Sequence, residues 1–230
     1  MAEFFTSSVY FGVFLSLAAY FFGLALQKKT GLPLLNPLLV SAALIIAVLS
    51  VFKIDYEAYH QSAKMLSSFL TPVTICLAVP LYNQLELLKR HKKAIFLGVL
   101  SGVLTSLACV LALSLVFGLD HTAYVTLLPK SITTAIGMGV SEEIGGHVSI
   151  TVVVIILTGV LGSLIARSVC RIAGITEPVA RGVAIGTASH AIGTSRAIEM
   201  GQIEGAMSGL SIVIAGILTV IGAPVFALFL

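Results

Sequence analysis

Three cationic or titratable side chains, Lys130, His190 and Arg196, lie among hydroxyl residues inside stretches apolar enough to sit in a bilayer. The run GVAIGTASHAIGTSRAIEMG, Gly182–Gly201, holds Thr187, Ser189, His190, Thr194, Ser195, Arg196 and Glu199. A charge at the bilayer centre costs about 3 kcal/mol, so such residues face a cavity and serve a purpose there. On one continuous helix Ser189, Gly193 and Arg196 share a face, with His190 and Thr194 as the adjacent stripe. A guanidinium matches the two oxygens of a carboxylate, hydroxyls complement a polar substituent, and an imidazole titrates near neutrality. The competing reading is internal: an Arg196–Glu199 or Arg196–Glu204 pair, with Gly182 and Gly186 serving close packing.

Two further segments have the same character. In LLPKSITTAIGMGVSEEIGGH, Leu127–His147, Pro129 is expected to open a half-helix with Lys130, Ser131, Thr133 and Thr134 in its first turns. A helix N-terminus at membrane depth offers unpaired N–H groups to an anion, and Lys130 adds a full charge. If Lys130 only snorkels to an interface, that site vanishes. Glu142 and Glu143 fall near the mouth, as proton-coupling residues or plain interfacial charges. In SSFLTPVTICLAVPLYNQ, Ser67–Gln84, Pro72 and Pro80 free backbone carbonyls, and with Thr71 and Thr74 they either line a site or merely kink a packed helix.

Hydrophobic residues make up 58% of the 230 positions and charged residues 10%, which requires a single all-α integral membrane domain over residues 1–230. Apolar runs near Val9–Leu26, Asn36–Phe52, Ala63–Tyr82, Ala94–Phe117, Val148–Ala166, Val179–Met200 and Ala206–Leu230 each approach the roughly 20 residues of a span. The N-terminus reads as a first span rather than a cleaved signal. Basic residues set orientation. With Lys89, Arg90, Lys92 and Lys93 inside, treating Thr122–Gly146 as a re-entrant hairpin also places Arg167, Arg171 and Arg181 inside, nine basic loop residues against two. Eight conventional spans are the alternative, with scarcely any bias. Seven spans plus the hairpin put three helices over Asn36–Phe117 and three over Val148–Leu230 in opposite orientation, an inverted repeat whose middle members are broken.

Other chemistries are disfavoured. Cys76, Cys109 and Cys170 are too scattered for a disulfide framework or a metal site. The Lys89–Lys93 run is a membrane anchor rather than a nucleic-acid patch. Ser189, His190 and Ser195 lack the elbow and orienting acid of a serine hydrolase, so no enzyme is expected.

The chain resembles the CidB/LrgB family of bacterial membrane proteins. The likeness is carried by GLPLLNPLLV at Gly31–Val40, TPVTICLAVPLY at Thr71–Tyr82, LPKSITTAIGMGVSEEIGG at Leu128–Gly146 and ARGVAIGTASHAIGTSRAIEMG at Ala180–Gly201. It implies one of two functions. The first is secondary transport of small 2-hydroxy or 2-oxo monocarboxylates such as glycolate, glycerate or pyruvate, as in related plant plastidal translocators. The second is holin- or antiholin-like control of murein hydrolases and autolysis with a small CidA/LrgA-type partner. The residues favour transport across the inner membrane. The carboxylate is expected between Pro129–Thr134 and the Ser189–Arg196 face, with Pro72 and Thr74 opposite. A proton or sodium ion would drive it, no cofactor is expected, and a homo-oligomer is anticipated.

Overall fold

The computed structural model describes residues 10–30, 35, 37–69, 72, 76 and 82–230. It divides into two units, residues 1–76 and 77–230. Every regular element among the described residues is an α-helix.

In the first unit, α1 (Phe11–Thr30) is long and apolar enough to cross a membrane, α2 (Pro37–Val51) is apolar but shorter, and α3 (Tyr56–Ser68) is polar. Asp55 caps α3 by accepting from the Glu57 N–H at 3.1 Å. Small residues let the helices touch: the Gly12 N–H donates to Ser62 Oγ at 2.9 Å, and Ser16 Oγ lies 2.7 Å from Tyr59 OH. Pro72 is exposed and helical, whereas Thr71, Thr74 and Pro80 lie outside the described residues.

The second unit is built on three long helices that meet the length and hydropathy of a span: α4 (Leu85–Phe117), α7 (Val148–Ile172) and α9 (Gln202–Ala227). Between α4 and α7 the chain forms two short helices, α5 (His121–Leu127) and α6 (Thr134–Glu143), each too short to cross hydrocarbon. Asp120 caps α5, accepting from the Ala123 N–H at 2.7 Å. His121 Nδ1 lies 3.0 Å from Leu230 O and Tyr124 OH donates to Phe226 O at 2.7 Å, so α5 starts beside the end of α9. The turn after it reaches the middle of α4, where Ser131 Oγ is 3.2 Å from Ser106 Oγ. After α6 the chain is back against α5, the His147 N–H donating to Thr126 Oγ1 at 2.8 Å. The segment therefore enters and leaves at one end of the unit.

Pro129 does not open a helix. It lies in the turn, and α6 starts at Thr134 behind the N-cap position Thr133. The reason is local: a proline removes a donor wherever it stands, and a turn between two helices uses no donor there.

Element α8 (Pro178–Met200) departs most from expectation. It is not one span, because the backbone reverses at His190 (φ 42°, ψ −139°). Residues 178–189 run alongside α9 in parallel: a methyl group on Gly182 would meet Glu204 O at 2.5 Å, and one on Gly186 would meet Ser208 Cα at 2.8 Å. Residues 191–200 return antiparallel, with Thr194 Oγ1 2.7 Å from Ser208 Oγ and Ile198 against Gly205. Gly186 and Thr194 thus both touch Ser208, although eight residues of straight helix would separate them by about 12 Å. This second hairpin enters from the end opposite the first, since Val179, Ala180 and Val183 share a cavity with His91, Ala94 and Gly98 near the start of α4.

Apart from Lys130, and from Arg196 one turn above the foot of the second hairpin, the Lys and Arg residues of this unit gather at the Lys89–Lys93 end. Asp120, Glu142 and Glu143 mark the other. The close approach along α9 is a packing requirement. Gly186→Leu is expected to destabilise by about 3 kcal/mol through overpacking against Ser208 backbone. Gly209→Ala, where nothing lies within 4 Å of the added methyl, is expected to be neutral or to gain up to about 1 kcal/mol. Thermal unfolding in detergent compares them.

Candidate functional site between the hairpin tips

The two tips meet on successive turns of α4. Ser131, from the first hairpin, rests on Ser106, while a methyl group on Gly102 would lie 2.7 Å from Thr187 Cγ2 of the second. Residues 102 and 106 are one turn apart, about 6 Å along the axis. The tips also share α7. His190 Nε2 lies 3.0 Å from Ile155 O, and the Ile155 side chain packs on Gly137 of α6. Gly159 and Gly162 clear the space that His190 and Ser189 occupy.

Thr187, Ser189, His190, Thr194, Ser208 and Ser211 are all buried. Thr194 Oγ1 bonds the His190 carbonyl at 2.9 Å, which starts the returning limb. Thr187 Oγ1 is buried with no hydrogen-bond partner. Lys130 is half-buried in the other tip, and Nζ donates to Ser131 Oγ at 2.9 Å. It has no carboxylate partner among the described residues. Both returning limbs, α6 and residues 191–200, begin at this level. The N-termini of the two returning limbs, each with unpaired N–H groups and partial positive charge, thus lie near the level of the tips.

The reversal changes the geometry read from helical spacing. Ser189 and Arg196 fall on different limbs instead of one face, because the heptad relation ends at His190. Gly193 still packs against Ser189, but across the turn. Arg196 forms an ion pair with Glu199, and its side chain is partly exposed, so its charge is already answered. Ser195 is exposed and bonds the Ile192 carbonyl. Thr133 and Thr134 flank the start of α6, half-buried. Glu142 and Glu143 are exposed at the far end of α6. Pro72 and Thr74 belong to the other unit or lie outside the described residues.

Sequence reading named Thr187 among the polar residues of its run but missed Ser106 and Ser208 as partners. Their signal was present as hydroxyls in apolar runs, with Gly102 preceding Ser106 by one turn. No group of three or more His, Cys, Asp or Glu arranged to hold a metal occurs among the described residues.

A positive φ with ψ near −139° is glycine territory, and a side chain held there costs about 1–3 kcal/mol. His190→Gly relieves that strain while losing one buried hydrogen bond of about 1 kcal/mol. His190→Ala loses the bond and keeps the strain. Glycine is therefore expected to melt higher than alanine at this position, the reverse of the helix-interior order. The thermal unfolding midpoints of the two variants check this.

The model of the LrgB-like family matches residues 16–229. The holin-like protein CidB of Staphylococcus epidermidis is 36% identical over 216 residues, 94% of each chain. That of Staphylococcus aureus is 37% identical over the same length. The antiholin-like protein LrgB of Bacillus mycoides is 36% identical over 226 residues, 98% of each chain. No solved structure matches. With four helices suited to span a bilayer among the described residues and these relatives along nearly its whole length, the chain is a multi-pass membrane protein and belongs to the LrgB-like family.

Proposed function

We propose that this protein is a secondary transporter of small 2-hydroxy or 2-oxo monocarboxylates across the cytoplasmic membrane, a carrier rather than an enzyme. The observation that carries the reading is the meeting of two helical hairpins from opposite ends near a lysine that has no carboxylate partner among the described residues. Transporters bind substrate near mid-membrane where discontinuous helices meet, and half-helix N-termini there face the anionic group. Lys130 would neutralise the carboxylate, and Ser131, Thr133 and Thr134 would bond its hydroxyl or carbonyl, with Thr187 supplying a free hydroxyl from the second tip. The hairpins would form an inverted pair, both re-entrant, and the basic end would face the cytoplasm. His190 braces the reversal through Ile155; proton coupling through it or through Glu142 and Glu143, or sodium coupling at the freed carbonyls, completes the reading.

The relatives' names, holin-like and antiholin-like, support a second reading, and on names alone it is better supported; as the family resemblance implies, that reading is modulation of murein hydrolase activity with a small CidA/LrgA-type membrane partner. Uptake of labelled glycolate or pyruvate by proteoliposomes separates the two. Accumulation above empty liposomes is expected from the carrier. No accumulation of either solute, with the partner or without it, contradicts that reading and leaves the second.

A further inference from the structure

At the basic end of the second unit, where α7 stops and α8 starts, a cavity of about 390 Å³ is lined by Arg167, Arg171 and Arg181, with Cys170, Ile175 and Met200 among its other walls. Arg167 and Arg171 are one turn apart on α7, an arrangement of like charges that destabilises a helix unless a counter-charge answers it. Arg181 approaches them from the first limb of α8. The supply of acid is small: Glu204 lies 3.9 Å from Arg181, and neither Arg167 nor Arg171 has an ion-pair partner among the described residues. The Arg181 guanidinium is held in place by donating from Nε to Ile175 O at 2.8 Å. Three arginines thus line one concavity, and among the described residues one of them, Arg181, has a carboxylate within 4 Å, that of Glu204.

We propose that this cavity binds a phosphate-bearing anion, independently of the site between the hairpin tips. Arginine donor forks match phosphate oxygens two at a time, and basic pockets on the cytoplasmic side of membrane helices suit lipid head groups. The volume leaves room for what the phosphate is esterified to, and Ile175 and Met200 give that part an apolar wall. Placement gives the ligand a role. Arg181 is at the foot of the outgoing limb of α8 and Met200 at the foot of the returning one. An anion bridging Arg181 to Arg167 and Arg171 therefore ties the outgoing foot of this hairpin to α7, beside the returning foot at Met200.

The test measures the thermal unfolding midpoint of the full-length protein in neutral detergent. The probes are phosphatidylglycerol, inorganic phosphate or glycerol 3-phosphate, with sodium chloride at matched ionic strength as control. At least one phosphate probe is expected to raise the wild-type midpoint saturably, and Arg167→Gln/Arg171→Gln is expected to weaken the apparent affinity at least about tenfold. These side chains are exposed, so the ligand-free midpoint of that variant should equal that of wild type or rise slightly as the like-charge repulsion is relieved. Lys92→Gln/Lys93→Gln keeps the response. A shift from phosphatidylglycerol alone identifies a head group, and a shift from the soluble phosphates identifies a free ligand. Equal shifts in the arginine variant, an equal response to chloride, or no response to any probe overturns the proposal.

Discussion

Liposomes carrying Lys130→Gln are expected to accumulate labelled glycolate or pyruvate at least about tenfold more slowly than wild type, equivalent to about 1.4 kcal/mol or more in the affected step. Among the described residues no other lysine or arginine lies at this level to replace that charge. Lys130 is the cation at the meeting of the tips, and among the described residues the only hydrogen bond of its ammonium group is to the neutral Ser131 hydroxyl. The glutamine is one atom shorter and keeps a donor for the Ser131 hydroxyl, so a folding defect is not expected. Lys130→Arg, which keeps the charge with different geometry, is expected to retain part of the rate. Arg196→Gln supplies the contrast. Its guanidinium is partly exposed and already engaged by Glu199, and a pair of that kind contributes about 1 kcal/mol or less. Uptake is expected to survive its loss. Full uptake by Lys130→Gln would leave transport possible and remove the lysine from the site.

The first hairpin was legible because its sequence is punctuated. Pro129, Gly137 and Gly139 interrupt a 25-residue stretch, and counting Arg167, Arg171 and Arg181 with the Lys89–Lys93 end requires the chain to return. The structure puts the feet of the second hairpin at that same end through the cavity shared by His91, Ala94 and Ala180. The second hairpin was not legible for two physical reasons. Its 23 residues have the length of a span and contain no proline after Pro178, so periodicity carries straight through His190. No lysine or arginine follows Arg196, so the charge rule cannot detect whether the chain crossed or turned back.

That one reversal also decides the site. With it, Ser189 and Arg196 separate, while Thr194 and Gly186 are drawn to the same serine on α9. The glycines at 182, 186 and 193 are the contact points of a folded-back pair, the close packing read for Gly182 and Gly186 extending to Gly193 across the turn. Resemblance between sequences located the polar blocks but carried no information on which of them reverse.

The most direct measurement is sidedness at the feet of this hairpin. In a variant lacking Cys76, Cys109 and Cys170, single cysteines replace the exposed Ala180, Gln202 and Glu142, and intact and inverted membrane vesicles are treated with an impermeant thiol reagent. A hairpin predicts that Ala180→Cys and Gln202→Cys react from the same, cytoplasmic face and that Glu142→Cys reacts from the other. Labelling of Ala180→Cys and Gln202→Cys from opposite faces would make Pro178–Met200 an ordinary span and contradict the meeting of the two tips.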